Sequence, residues 1–148
     1  MINEDYDISI IGIQSVDGES DEVILNTVGS YTKEGNSRYI TYTEYDPETP
    51  SNSNLSTLKV DDDKVTLMSG EKETHLILEK GIRHKCCYDT GFGTLSMGVF
   101  TSVFSNCLDD SGGNLNVKYT LDIESSLSSC NEITVKVHRR NLGTLPQE

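Results

Sequence analysis

Every second residue from Leu115 to Ile123 is apolar: Leu115, Val117, Tyr119, Leu121 and Ile123 alternate with Asn116, Lys118, Thr120 and Asp122. A period of two puts one set on each face of an extended strand, so this segment reads as a strand with one dry face and one wet one. Ile133, Val135 and Val137 repeat the pattern against Glu132, Thr134, Lys136 and His138, and Leu95, Met97, Val99, Thr101 and Val103 form a third inward row. One-sided strands in such number need a shared interior. A sheet closed on itself supplies one and removes exposed edges at the same time.

Short β-branched or alternating runs recur along the chain, and strands are read at 7–15, 22–31, 37–45, 55–60, 64–68, 73–78, 82–90, 94–105, 114–124 and 131–139. Between them stand Val16-Asp17-Gly18-Glu19, Glu34-Gly35-Asn36, Asp61-Asp62-Asp63-Lys64, Ser69-Gly70-Glu71 and Glu79-Lys80-Gly81. Gly and Asn reach positive φ cheaply, so each of these tight connections suggests a hairpin and the sheet a meander. Pro47 to Asn54 is a longer connection whose prolines cannot continue a sheet, and 109–113 is a further loop. Residues 143–148 read as a loose tail, and only 124–130 hints at a helical period. A chain of 148 residues is one domain by length. At that size about 70% of the unfolded surface is buried, enough for a core without disulfides or metals. The expectation is an all-β single domain over residues 1–148, an antiparallel up-and-down barrel of about eight to ten strands.

Charge narrows the partners. Twelve basic residues against 24 acidic ones give a net charge of -12, and the only basic clusters are the pairs Arg83–Lys85 and Arg139–Arg140. Such a field repels nucleic-acid phosphates and anionic lipid, so neither is an expected partner. The acidic stretch Met1-Ile2-Asn3-Glu4-Asp5-Tyr6-Asp7 does not read as a signal peptide, and no apolar run approaches the ~20 residues that span a bilayer. The four cysteines, Cys86, Cys87, Cys107 and Cys130, show no disulfide framework and no C-x-x-C, and adjacent Cys86 and Cys87 point to opposite faces of a strand. A cytoplasmic protein with reduced thiols is expected.

Several short pieces recur in a specific order: Gly29-Ser30-Tyr31, Tyr42-x-Glu44, Thr57-x-Lys59-Val60, Glu79-Lys80-Gly81, Tyr88-x-Thr90, Phe92-Gly93, Thr101 and Tyr119. Over roughly residues 7 to 138 the chain resembles the YwiB-like family of small bacterial proteins, a domain of unknown function assigned to the calycin barrels. The resemblance implies a calycin-like (lipocalin-like) barrel and a general capacity to hold a small molecule; it carries no activity. In one place the chain departs from the family's pattern. An arginine tends to precede the glycine of the fifth strand's turn, where this chain reads Leu67-Met68-Ser69-Gly70.

Alternation also nominates an interior. If Ile40 points inward, Arg38, Tyr42 and Glu44 do too; if Ile82 does, so do His84, Cys86, Tyr88 and Thr90. Arg38, Tyr42, Glu44, Tyr88, Thr90, Thr101 and Tyr119 are the candidate ligand-binding set, with phenols, a carboxylate and a cation to orient a small, partly apolar molecule. The alternative is a filled barrel in which the tyrosine hydroxyls bond to Glu44, Arg38 or the backbone, and the protein acts as an interaction or structural module through its acidic surface. A barrel of about eight strands permits either.

Catalysis finds little support. His84 and Cys86 would have Cα atoms nearly 7 Å apart at ~3.3 Å rise per residue, loose for a thiol–imidazole pair. Glu44 as a general acid or base rests only on its apolar neighbours Ile40 and Leu58. His75, His84 and His138 fall on three different strands, the Asp61–Asp63 run is too short for a calcium loop, and Thr90-Gly91-Phe92-Gly93-Thr94 lacks the lysine of a phosphate loop. No enzyme, cofactor or metal is expected.

Overall fold

The structure, a computed structural model, describes residues 5–45, 53–69, 74–89, 92–124 and 126–140; within the strands, Glu44 and Tyr88 are described for their backbone alone. Ten strands follow one another: β1 (Tyr6–Val16), β2 (Glu19–Glu34), β3 (Ser37–Tyr45), β4 (Ser53–Val60), β5 (Lys64–Ser69), β6 (Thr74–Glu79), β7 (Arg83–Asp89), β8 (Thr94–Asp109), β9 (Gly112–Ile123) and β10 (Ser126–Arg139). They make one antiparallel sheet in the order β6-β5-β4-β3-β2-β1-β10-β9-β8-β7. Consecutive strands are therefore sheet neighbours everywhere except β6 and β7, which stand at the two edges, and the first strand pairs with the last. The hint of helix at 124–130 is overturned. Glu124 turns the chain at φ 53, and from Ser126 onward the residues pair with β9. Among the described residues no helix is long and apolar enough to cross a membrane.

The sheet curls until its two outer strands, β6 and β7, nearly meet. They touch at the base of their own hairpin, where Glu79 bridges Ile82, while Lys80 bridges Thr101 of β8 in parallel. The Gly81 N–H donates to the Thr101 carbonyl at 2.8 Å, and the Lys80 N–H to the Asp63 carbonyl at 3.0 Å. The result is a nearly closed ten-stranded barrel.

Its interior is assembled from the alternating rows. Leu115, Val117, Val135 and Val137 are at most 1% exposed and pack with Ile8, Ile40, Val60 and Leu78 from the other wall. Each such side chain contributes about 1.5–3 kcal/mol by leaving water, and the polar partners in each strand keep the outer face wet. Two inward expectations fail, for different reasons. Val103 is 39% exposed, because the register between β8 and β9 shifts between Thr101 and Val103. The extra residue inverts the alternation, so Phe104 packs on the core in place of Val103. Ile82 is 46% exposed because it belongs to the β6–β7 turn rather than to β7.

Two glycines on the inner face mark the difference between the barrel's ends. A Cβ on Gly29 would collide with the Thr41 carbonyl oxygen and lie 2.8 Å from Ile8 Cδ1, whereas a Cβ on Gly12 would meet nothing within 4 Å. The inner wall is close-packed at Gly29 and open at Gly12.

The bulge makes a direct prediction. Phe104→Ala should destabilise the protein by about 2 kcal/mol and Val103→Ala by under about 0.5 kcal/mol, measured by urea unfolding. The reverse ranking would mean that β8 runs without the extra residue.

Candidate functional site

The end that carries the turns β2–β3, β4–β5 and β8–β9 holds a polar cavity of about 500 Å³ whose lining includes Lys33, Arg38, Asp61 and Asn106. Tyr6 and Tyr31 meet edge to face with ring centroids 5.3 Å apart, and the Tyr31 hydroxyl donates to the Asp109 carbonyl at 2.5 Å. Arg38 donates from Nη1 to Asp110 Oδ1 at 3.0 Å. Ser37 donates to the Asp61 carboxylate, and Asn106 Nδ2 to the Asp61 carbonyl at 3.3 Å. These bonds draw the 109–112 hairpin over the opening. Burial, opposed by the neighbouring Arg38, holds the Tyr31 phenol above its ordinary value of 10.0. Backbone and side-chain donors of Ser111 hold the Asp109 carboxyl below 3.8.

At the other end a cavity of about 370 Å³ opens to solvent. Ile10, Val23, Leu25 and Ile133 supply apolar wall, Gly12 supplies the space above its backbone, and Tyr42 of β3 and Tyr119 of β9 join the lining. Gln14, Asp21 and Asn131 lie along the lip. The ladders connect several of these positions. Asp21 pairs with Gln14, Gln14 with Asn131, Asn131 with Tyr119 and Tyr119 with Thr101. Directly opposed residues share a face, so these five form one polar rung across β2, β1, β10, β9 and β8 on the inner wall. At ~4.8 Å per strand it runs about 19 Å along the arc. The rung beside it, Val23, Gly12, Ile133, Val117 and Phe104, is apolar throughout.

Strand tilt in a barrel makes a rung climb as it goes round, and the burial follows. Thr101 is fully buried, Tyr119 is 9% exposed, Asn131 is half-buried, and Gln14 and Asp21 are exposed at the lip. Asn131 Nδ2 donates to Ser129 Oγ at 2.9 Å. Among the described residues, Thr101 Oγ1 has no hydrogen-bond partner, and none is recorded for the Tyr119 hydroxyl. A buried hydroxyl without a partner costs roughly 1–3 kcal/mol. Burial alone raises the Tyr119 phenol above 10.0.

The structure therefore divides the candidate set. Tyr42 and Tyr119 line the cavity, and Thr101 continues the polar rung beyond its wall. Arg38 sits at the opposite end, engaged with Asp110. Backbone register pairs Glu44 with Asn54 and Tyr88 with Leu95, while their side chains, and Thr90 altogether, lie outside the described residues, as does the 143–148 tail. His84 meets Glu79, Nε2 to Oε1 at 2.8 Å, and the Cys86 side chain lies outside the described residues. Met68 alternates with inward Val65 and Leu67 and so belongs to the outer face, away from the cavity. Ile10, Gly12, Gln14, Asp21 and Asn131 were not nominated from sequence. The signal was present in β1, where Ile8, Ile10, Gly12 and Gln14 alternate in the same period as Leu115–Ile123.

The model of the domain of unknown function DUF1934 matches residues 8–135. The chain belongs to this family. Its fold is shared with the crystal structure of the ywiB protein from Bacillus subtilis, at a TM-score of 0.77 and 18% identity over 91% of each chain. No curated protein matches the sequence. The resemblance read from Gly29-Ser30-Tyr31 to Tyr119 is thus confirmed at the level of family and fold. Within this DUF1934 chain, the matched span covers the cavity lining and the polar rung, Gln14 to Ile133.

The raised phenol fixes a pH dependence. Because the fold favours protonated Tyr119, its contribution to stability is fully present below pH 10.0 and is lost as pH rises through the native pKa. Urea unfolding should show stability falling above pH 10, and falling less steeply in Tyr119→Phe. Equal slopes would place this phenol in water.

Proposed function

We propose that this DUF1934 protein is a non-enzymatic binding protein that takes a small, partly apolar molecule into the open end of its barrel. The observation that carries the reading is the contrast between Gly29, where a methyl group has no room, and Gly12, where it meets nothing. A filled barrel would crowd both. The volume near 370 Å³ falls at the small end of the range for ligand sites, roughly 300–1,000 Å³. The wall has the usual composition of such sites, mostly aliphatic with a few polar groups to set orientation. The exposed free thiols of Cys107 and Cys130 suit a reducing compartment, and the proposed setting is cytoplasmic.

In this reading the ligand's apolar body lies over Gly12 against Ile10, Leu25 and Ile133, with the phenols of Tyr42 and Tyr119 at its inner end. Arg38 lies outside this cavity, at the far end of the barrel, bonded to Asp110.

N-phenyl-1-naphthylamine, neutral at pH 7 and brighter in apolar surroundings, is a suitable probe. Fluorescence titration should saturate at one site, and Gly12→Leu, which fills open space without strain, should weaken binding at least tenfold. Val103→Ser on the outer face should leave it unchanged. No saturable signal, or one indifferent to Gly12→Leu, would contradict the proposal.

A further inference from the structure

Charge is distributed unevenly around the cavity. Among the described residues its lining includes no lysine, arginine or histidine. The one ionised group on its inner wall is Asp21, at the exposed end of the polar rung. The hairpin that projects past the lip adds Asp17, Glu19 and Glu22, and no basic residue occurs between Gln14 and Lys33. Glu132 also borders the cavity; it belongs to the outer face, where its Oε2 accepts from Asn116 Nδ2 at 2.8 Å, and pairs across the ladder with Lys118. Behind these stands a chain of net charge -12. A concave, low-dielectric wall beneath a rim of one sign concentrates counter-ions at the opening.

The groups along the lip fit one class of head group. Asp21 offers carboxylate oxygens, and Gln14 and Asn131 offer amide oxygens on the same rung, in the neighbouring strands β1 and β10. An ammonium has three donors and no acceptor, and it matches three oxygen acceptors. A carboxylate or phosphate would face Asp21 with no cation to offset it, and a neutral alcohol would meet the same atoms without the charge. Below the lip the wall is aliphatic, and further along the rung the Tyr119 side chain, 9% exposed and lining the cavity, has no recorded hydrogen-bond partner. We infer that the ligand is an amine: a protonated amino group held at Asp21, Gln14 and Asn131, on an apolar body that runs inward over Gly12 toward Tyr119. The inference rests on the ligand-binding reading above and names its ligand class.

Three matched probes test it by isothermal titration calorimetry, at low and at physiological salt: 2-phenylethylammonium, 2-phenylethanol and 3-phenylpropanoate. The amine should bind at least tenfold tighter than the alcohol, with an affinity that falls as salt rises, and the carboxylate should not bind detectably. Asp21→Asn should bring the amine to the level of the alcohol and leave the alcohol unchanged; Asp21 is exposed, so the variant folds. An alcohol or carboxylate that binds as tightly as the amine overturns the inference while the cavity stands. So does an amine preference that survives in Asp21→Asn. If neither the amine nor the alcohol binds, the inference and the ligand-binding reading fall together.

Discussion

The ladder between the first and the last strand is the interaction on which the rest of this barrel depends. Ten residue pairs, from Tyr6 with Arg139 to Ser15 with Cys130, join β1 to β10 across almost the full length of the chain. Every other ladder joins strands that follow one another and could form locally. Without the β1–β10 ladder, β1–β6 and β7–β10 are two curled sheets, each with an apolar face open to water. With it, Ile8 and Ile10 come beside Val137 and Val135, and the inner rows become one interior. The same ladder brings Gln14 beside Asn131 and makes a single polar rung of residues from five strands. It is the contact of greatest sequence separation, and its closure costs the most chain entropy.

One core does not fill the whole length of the barrel. At the end with the β2–β3, β4–β5 and β8–β9 turns, Tyr6 packs on Tyr31 and Arg38 reaches the exposed Asp110 beside a polar cavity. At the other end β1 contributes Gly12 where an aliphatic residue would continue the core, and the polar rung begins one step further on. The buried Thr101 hydroxyl, without a partner among the described residues, is a local loss that a structural core would avoid. Departures of this kind from good packing concentrate at functional sites.

Much of the fold is legible in the sequence, because strands with one dry face announce themselves by alternation. Leu115–Ile123 and Ile133–Val137 lie as their period requires, and Asp17 and Gly18 take the positive φ values, 52 and 83, that the Asp-Gly pair suggests. The bulge at Ser102 leaves no trace in composition. Val103 and Phe104 are both apolar, and only the partner strand decides which one turns inward. The site is less legible still. Alternation tells inside from outside but not one end of the bore from the other, so Arg38 and Tyr42, on one face of one strand, fall to opposite roles. A rung is a property of register among five strands, and Asp21, Gln14, Asn131, Tyr119 and Thr101 have no spacing in the chain that joins them. The family resemblance identified the barrel and said nothing of where it is hollow.

Xenon tests the central claim, an apolar cavity at the Gly12 end of the barrel, without presuming a ligand, because it enters apolar cavities by size alone. Methyl-labelled protein under xenon pressure, followed by NMR, should show saturable shifts at Ile10, Leu25 and Ile133, with Ile8, Leu115 and Val137 unmoved. Shifts confined to the second group, or no saturable shift at any of them, would contradict the account.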